Sequence, residues 1–195
     1  MITLRKEDGP ADLAGVAKMG VGVSWDPTSG SSGGVLGWAK RQKGTDLDLI
    51  AVLMSGDNPV RLAGLDSLDP LQNGSVTHTG DNQTGKGAGD DELVEVDFAK
   101  VNGSPVTSIV FVAAAFKKGS SFSQARNVSF KVYDGTGGRL DVVADIWPSL
   151  LGNHNANAVA KAVNNGGTWT LEVLDEPGTI RQGDEQALLR FAIGK

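Results

Sequence analysis

Short runs of β-branched and aromatic residues organise this chain. Residues 47–54 (LDLIAVLM), 93–98 (LVEVDF), 108–116 (SIVFVAAAF), 127–133 (NVSFKVY), 169–174 (WTLEVL) and 188–193 (LLRFAI) read as strands, separated by connections rich in Gly, Asn, Ser and Pro. Within 93–98, Val94, Val96 and Phe98 alternate with Glu95 and Asp97, the period-two pattern of a half-buried strand. One helix is predicted, over 155–164 (NANAVAKAVN), closed by Gly166 and Gly167. The segment 11–19 (ADLAGVAKM) fits either a helical turn or the start of a strand. Together these patterns predict an all-β fold, a two-sheet β-sandwich with one short helix near 155–164. No repeat or shift in composition divides the 195 residues, so a single domain over 1–195 is expected, with a stretch at 27–37 that is flexible by composition and adjoins the basic residues 40–43.

Composition narrows the chemistry. There is no cysteine, which excludes disulfides, thiolate metal sites and cysteine nucleophiles. With only His78 and His154 as imidazoles, a metal site has to be built mainly from oxygen. The first twenty residues carry Arg5, Lys6, Glu7, Asp8 and Asp12 without an apolar run, so no secretory signal is read there, and no later stretch reads as a membrane span. A cytoplasmic location is the default expectation.

Net charge is −5, and its distribution matters more than its size. Between Asp46 and Asp97 stand eleven acids against two fixed positive charges, Arg61 and Lys86. Such a surplus repels itself unless it is solvated or neutralised by a cation, and it disfavours nucleic-acid phosphates as a partner. A solvated acidic face is the plainer explanation.

The loop 80–92 (GDNQTGKGAGDDE) sharpens the alternative. Glycines at 80, 85, 87 and 89 permit sharp bends that turn carbonyl oxygens toward one centre, and Asp81, Asn82, Asp90, Asp91 and Glu92 add oxygen donors. Calcium takes six to eight oxygens in loose geometry and suits this set; magnesium, stricter in geometry, stays open. An EF-hand does not fit, because Lys86 stands where that loop needs glycine. A phosphate loop does not fit either, since Gly87 follows Gly80–Lys86 where Ser or Thr is required, among carboxylates that repel phosphate. Gly30, Ser32 and Gly34 satisfy a hydrolase-elbow spacing, but in a Ser/Gly tract with neither strand nor helix. A ligand-free turn is the remaining explanation.

The run Asn73 to Asp97 (NGSVTHTGDNQTGKGAGDDELVEVD) resembles the signature segment of the TerD-like tellurium-resistance family. Val21–Asp26 (VGVSWD), Asp46–Met54 (DLDLIAVLM) and Ser121–Val128 (SFSQARNV) resemble further family segments in the same order. The resemblance covers about 20–175; the 27–43 insertion and the chain from Asp175 onward match loosely. It implies a two-sheet sandwich that binds calcium ions through acidic loops, linked to tellurite and stress resistance without a known catalytic step. By position, Asp81, Asn82, Asp90, Asp91 and Glu92 match loop ligands, while Asp26, Asp46 and Asp48 match acids that close the site. Asp46 and Asp48, two apart on a strand, point to the same face, as a shared cation requires. Asp69 is a weaker candidate. Glu95 and Asp97 read as the wet face of a strand, Trp169 as core, and His78 as a turn residue.

The function expected is therefore a calcium-binding stress module that works by binding and by docking an unknown protein partner, not an enzyme. Two alternatives stand beside it. One is a metal-dependent hydrolase using the same carboxylates; the other is a scaffold that calcium merely hardens.

Overall fold

The computed structural model describes residues 2–27, 46–81, 89–150 and 153–195. Two six-stranded sheets face each other. The first runs in the order β1 (Ile2–Thr3), β10 (Asp141–Ile146), β9 (Ala125–Asp134), β3 (Lys18–Pro27), β7 (Glu92–Asp97), β6 (Val76–His78). The second runs β2 (Ala11–Asp12), β12 (Thr168–Gly178), β11 (Ala156–Asn165), β8 (Ser108–Ala114), β4 (Asp48–Ser55), β5 (Asn58–Ala63). Every pairing is antiparallel except β1 with β10.

Alternation decides which face is wet. In β7, Val94 and Val96 are buried while Glu95 is exposed. Val21, Val94 and Phe130 of the first sheet meet Leu49, Leu53 and Phe111 of the second in one core. Trp169 belongs to it as expected, stacked 4.9 Å from the Phe98 ring, with its indole N–H donating to Asn102 Oδ1 at 2.8 Å.

The second sheet is covered on both faces. All of β8 and nearly all of β4 are buried, because Ile50, Val52, Val110 and Val112 point away from the sandwich into a second cluster with Leu188 and Ala192. A strand buried on both sides has no polar face, which is why residues 47–54 form an almost unbroken apolar run.

Two expected elements change type. Residues 155–164, expected as a helix, lie almost wholly in β11 (Ala156–Asn165), flanked by β8 and β12. Alanine favours helix only weakly, and a central slot with ladder partners on both sides overrides it. Ala156 and Ala158 instead supply small side chains on the face that meets the C-terminal helix. Conversely, 188–193 lies largely in that helix rather than in a strand. Of the two α-helices among the described residues, α1 spans Phe98–Val101 and α2 spans Glu185–Phe191. Asp184 caps α2 by accepting from Ala187 N–H at 3.1 Å, and Leu188 and Ala192, four apart, share its buried side. The segment 11–19 resolves into β2, a turn and the start of β3.

Strand register gathers the acids at one end. Asp48 opens β4, Glu92 opens β7 opposite Val23, and Asp26 lies near the end of β3 opposite Arg126. No described helix is long and apolar enough to cross a membrane. Residues 28–45, with the greater part of the 27–43 insertion, Ser32 and the basic residues near Trp38, lie outside the described residues.

Candidate metal centre

Asp46, Asp48 and Asp81 come together: one carboxylate oxygen of each lies within 4.8 Å of the others. Asp46 and Asp48 are buried, and Asp81 is exposed. Asp46 Oδ2 sits 3.2 Å from the Lys117 ammonium, while Asp46 Oδ1 is buried with no hydrogen-bond partner. Asp48 Oδ2 accepts from Phe116 N–H at 3.2 Å. Burial pushes the Asp48 carboxyl up to about 8, helped by the charges of Glu92, Asp46 and Asp81 and opposed by the Phe116 bond. The buried Asp46 Oδ1 is left without the partner that a buried polar atom normally has.

Glu92 and His78 lie in the interior beside this triad. Glu92 Oε2 accepts from Leu49 N–H at 2.8 Å and stands 3.4 Å from His78 Nε2. His78 Nε2 also lies 2.9 Å from the Leu49 carbonyl, and its Nδ1 accepts from Gly80 N–H at 2.9 Å. The structure thus places His78 in strand β6 rather than in a turn. Glu92, expected as a loop ligand, is a buried strand residue whose charge falls on Asp48.

A second acidic group lies on the first sheet. Asp91 N–H donates to Val23 O at 2.7 Å, and its Oδ2 accepts from Trp25 N–H at 2.9 Å. Burial, reinforced by Asp90 and Asp26, raises the Asp91 pKa. Asp26 accepts from Asn127 Nδ2 at 2.9 Å. Asp90 is engaged differently: Lys131 Nζ lies 3.0 Å from its Oδ1, and the Tyr133 hydroxyl donates to its Oδ2. Burial and that carboxylate raise the Tyr133 pKa. Asn82 lies outside the described residues. The eight expected donors therefore divide into a triad, a neighbouring pair of Asp26 and Asp91, a charge-paired Asp90, a buried Glu92, and Asn82.

The remaining acids take the roles their pattern suggested or humbler ones. Glu95 faces solvent, and Asp97 caps α1 by accepting from Lys100 N–H at 3.3 Å. Asp69 holds Gly74 N–H at 3.0 Å within its own turn. Lys131 and Tyr133 were not singled out from the sequence. Their signal is register: they lie opposite Gly22 and Gly20 of β3, and two glycines two apart open one face of that strand for an acid.

Fold and site together define an all-β sandwich with an oxygen-rich, acidic end. The family model described as the TerD domain matches residues 4–181, and the chain belongs to the TerD family. Its relatives include tellurium resistance protein TerZ of Serratia marcescens, 30% identical over 176 residues, an alignment spanning 89% of this chain and 84% of that one. Stress response protein SCP2 of Bacillus subtilis is 34% identical over 129 residues, spanning 62% of this chain and 63% of SCP2. Among solved structures, a Streptomyces coelicolor homologue of telluride resistance protein TerD superposes with a TM-score of 0.65 at 18% identity, covering 92% of this chain and 97% of that one. A protein of unknown function superposes with a TM-score of 0.68 at 20% identity, covering 93% and 99%. At those identities the likeness establishes the fold alone.

Proposed function

We propose that this chain is a calcium-binding module of the stress and tellurite response, acting in the cytoplasm by binding and docking rather than by catalysis. The observation that carries the reading is the Asp46–Asp48–Asp81 triad, in which a buried carboxylate oxygen without a partner adjoins an acid whose pKa is pushed up to about 8. The donors are all oxygen, which suits a hard cation. Asp46, Asp48 and Asp81 would hold the ion, with Asp91 and Asp26 as a second acidic pair nearby. The ion would supply positive charge that offsets carboxylate repulsion in the folded state alone. The resistance and stress assignments extend what the names of TerZ and SCP2 say of those proteins.

A groove of about 720 Å³ supports docking. It is lined by Asp48 and Asp81 together with apolar Leu62, Leu65, Phe116 and Leu189, so an ion at the triad would lie on its wall. A non-catalytic role is supported by His78, whose two ring nitrogens are occupied by backbone groups and are poorly placed to act as a general base.

Calorimetric titration of chelator-treated protein with calcium tests the reading. Saturable binding that weakens in Asp48→Asn is the expected result. No heat of binding, or turnover of a generic phosphate ester that disappears in Asp48→Asn, would overturn it.

A further inference from the structure

We infer that His78 is a positioning residue for the acidic triad: its two ring nitrogens tether the backbone beside Asp48 in one sheet and beside Asp81 from the other, and so set the span between those carboxylates. The inference rests on the triad being the ion site proposed above. It adds a residue that is not itself an oxygen donor.

The geometry forms a continuous link. Asp48 is followed by Leu49, whose carbonyl lies 2.9 Å from His78 Nε2. Asp81 is preceded by Gly80, whose N–H donates to His78 Nδ1 at 2.9 Å. Each tether therefore acts one residue from a triad carboxylate. The two bonds also fix the tautomer. Nδ1 must offer its lone pair to Gly80, so Nε2 must carry the proton that it gives to Leu49. Glu92 completes the grip by taking Leu49 N–H at 2.8 Å, so both polar groups of Leu49 are held by side chains from the first sheet.

The ladder explains why such a link is needed. β5 pairs with β4 only as far as Ala51, so the Leu49 edge lies beyond the last rung on that side. In a buried strand those backbone groups require partners, and His78 and Glu92 supply them across the sandwich. His78 and Glu92 side chains are each 1% exposed, so water does not compete for these bonds. Gly80 adopts φ +109°, a conformation that favours glycine, in turning the chain from β6 toward Asp81. Without the imidazole, neither Gly80 nor Leu49 keeps this fixed point, and the carboxylates lose their common spacing.

Two half-replacements separate positioning from simple core filling. An amide oxygen in His78→Asn stands near the place of Nδ1 and preserves the Gly80 bond. An amide nitrogen in His78→Gln reaches toward the place of Nε2 and preserves the Leu49 bond. Calcium affinity of the intact chain is expected to fall about 10–100-fold in each, the usual effect of losing a residue that orients a ligand, while the cooperative melt is retained. Wild-type affinity in both folded variants overturns the inference, as does loss of the cooperative melt in both, which is the mark of a purely structural role. A metal-free readout keeps the inference apart from the ion reading. In otherwise wild-type protein, Asp81→Asn should shift the carboxyl carbon resonance of Asp48, and in the His78→Gln background that shift should shrink. An undiminished shift overturns the positioning role whether or not calcium binds, whereas wild-type protein that binds no calcium overturns only the ion reading.

Discussion

The carboxylate of Asp90 fills the space that a side chain at Gly22 would need. A Cβ built at Gly22 overlaps the Asp90 carboxyl group, which lies over β3 between Lys131 and Tyr133. Glycine at this point therefore makes room for an acid just ahead of β7, and Asp90 is held against the sheet there.

Gly22→Ala should force Asp90 off its two partners. The expected cost is about 1–3 kcal/mol, typical of overpacking in a well-filled site, measured by denaturant unfolding. Alanine would otherwise be the better residue in a strand interior. A neutral or stabilising effect would show that the Asp90 contacts contribute nothing to stability.

The Asp48 carboxyl gives the metal-free protein a pH dependence of definite sign. Its ordinary value is 3.8 and its folded value about 8, so between those pH values the folded chain keeps a proton that the unfolded chain releases. Stability must then fall as pH rises through this window, and the loss is complete above about 8. Asp91, also raised, acts in the same direction. Unfolding free energy of chelator-treated protein should be greater at pH 5 than at pH 8, and Asp48→Asn should flatten the slope. A wild-type profile that climbs from pH 5 to 8 would contradict the crowding of these acids. Because calcium needs the ionised carboxylate, its affinity should move the opposite way and increase with pH.

Position, not charge alone, should decide which acids matter to the ion. Asp48→Asn and Asp81→Asn each remove a triad oxygen's charge and should weaken calcium binding at least tenfold, a loss of about 1.4 kcal/mol. Glu95→Gln, on the wet face of β7 and outside the triad, should leave affinity within about twofold, since salt screens interactions between exposed charges. Competition titrations against a fluorescent chelator measure both. Equal losses at Asp81 and Glu95 would mean a diffuse acidic surface.

Much of this fold is legible from side-chain period. The alternation of Val94, Glu95 and Val96 identified both a strand and its wet face, and the apolar run at 47–54 identified a strand whose double burial became clear only in three dimensions. Local pattern failed where tertiary contacts decided. Ala156 to Val163 has helical composition but occupies a slot between two strands, and Leu188 to Ile193 has strand composition but follows the Asp184 cap into a helix. The site was partly legible for the same reason. Asp46 and Asp48 do lie together with Asp81, although Asp46 stands ahead of β4 and strand period does not account for its place. Glu92 gave no sign of being buried, and His78 gave none of being bonded at both ring nitrogens. The Glu92 contact and the His78 Nε2 contact both depend on Leu49, which is remote in sequence.

On the function proposed above, an ion, and calcium in particular, completes the acidic end of the sandwich. Thermal unfolding of chelator-treated protein, with and without calcium at a hundredfold excess over its dissociation constant, tests it most directly. Linkage gives about 2.7 kcal/mol per site, which for a chain of this length is about 5–10 °C in Tm. A rise of that size, absent with Asp48→Asn, is the expected result; an unchanged melting temperature in millimolar calcium would mean that calcium does not complete the site.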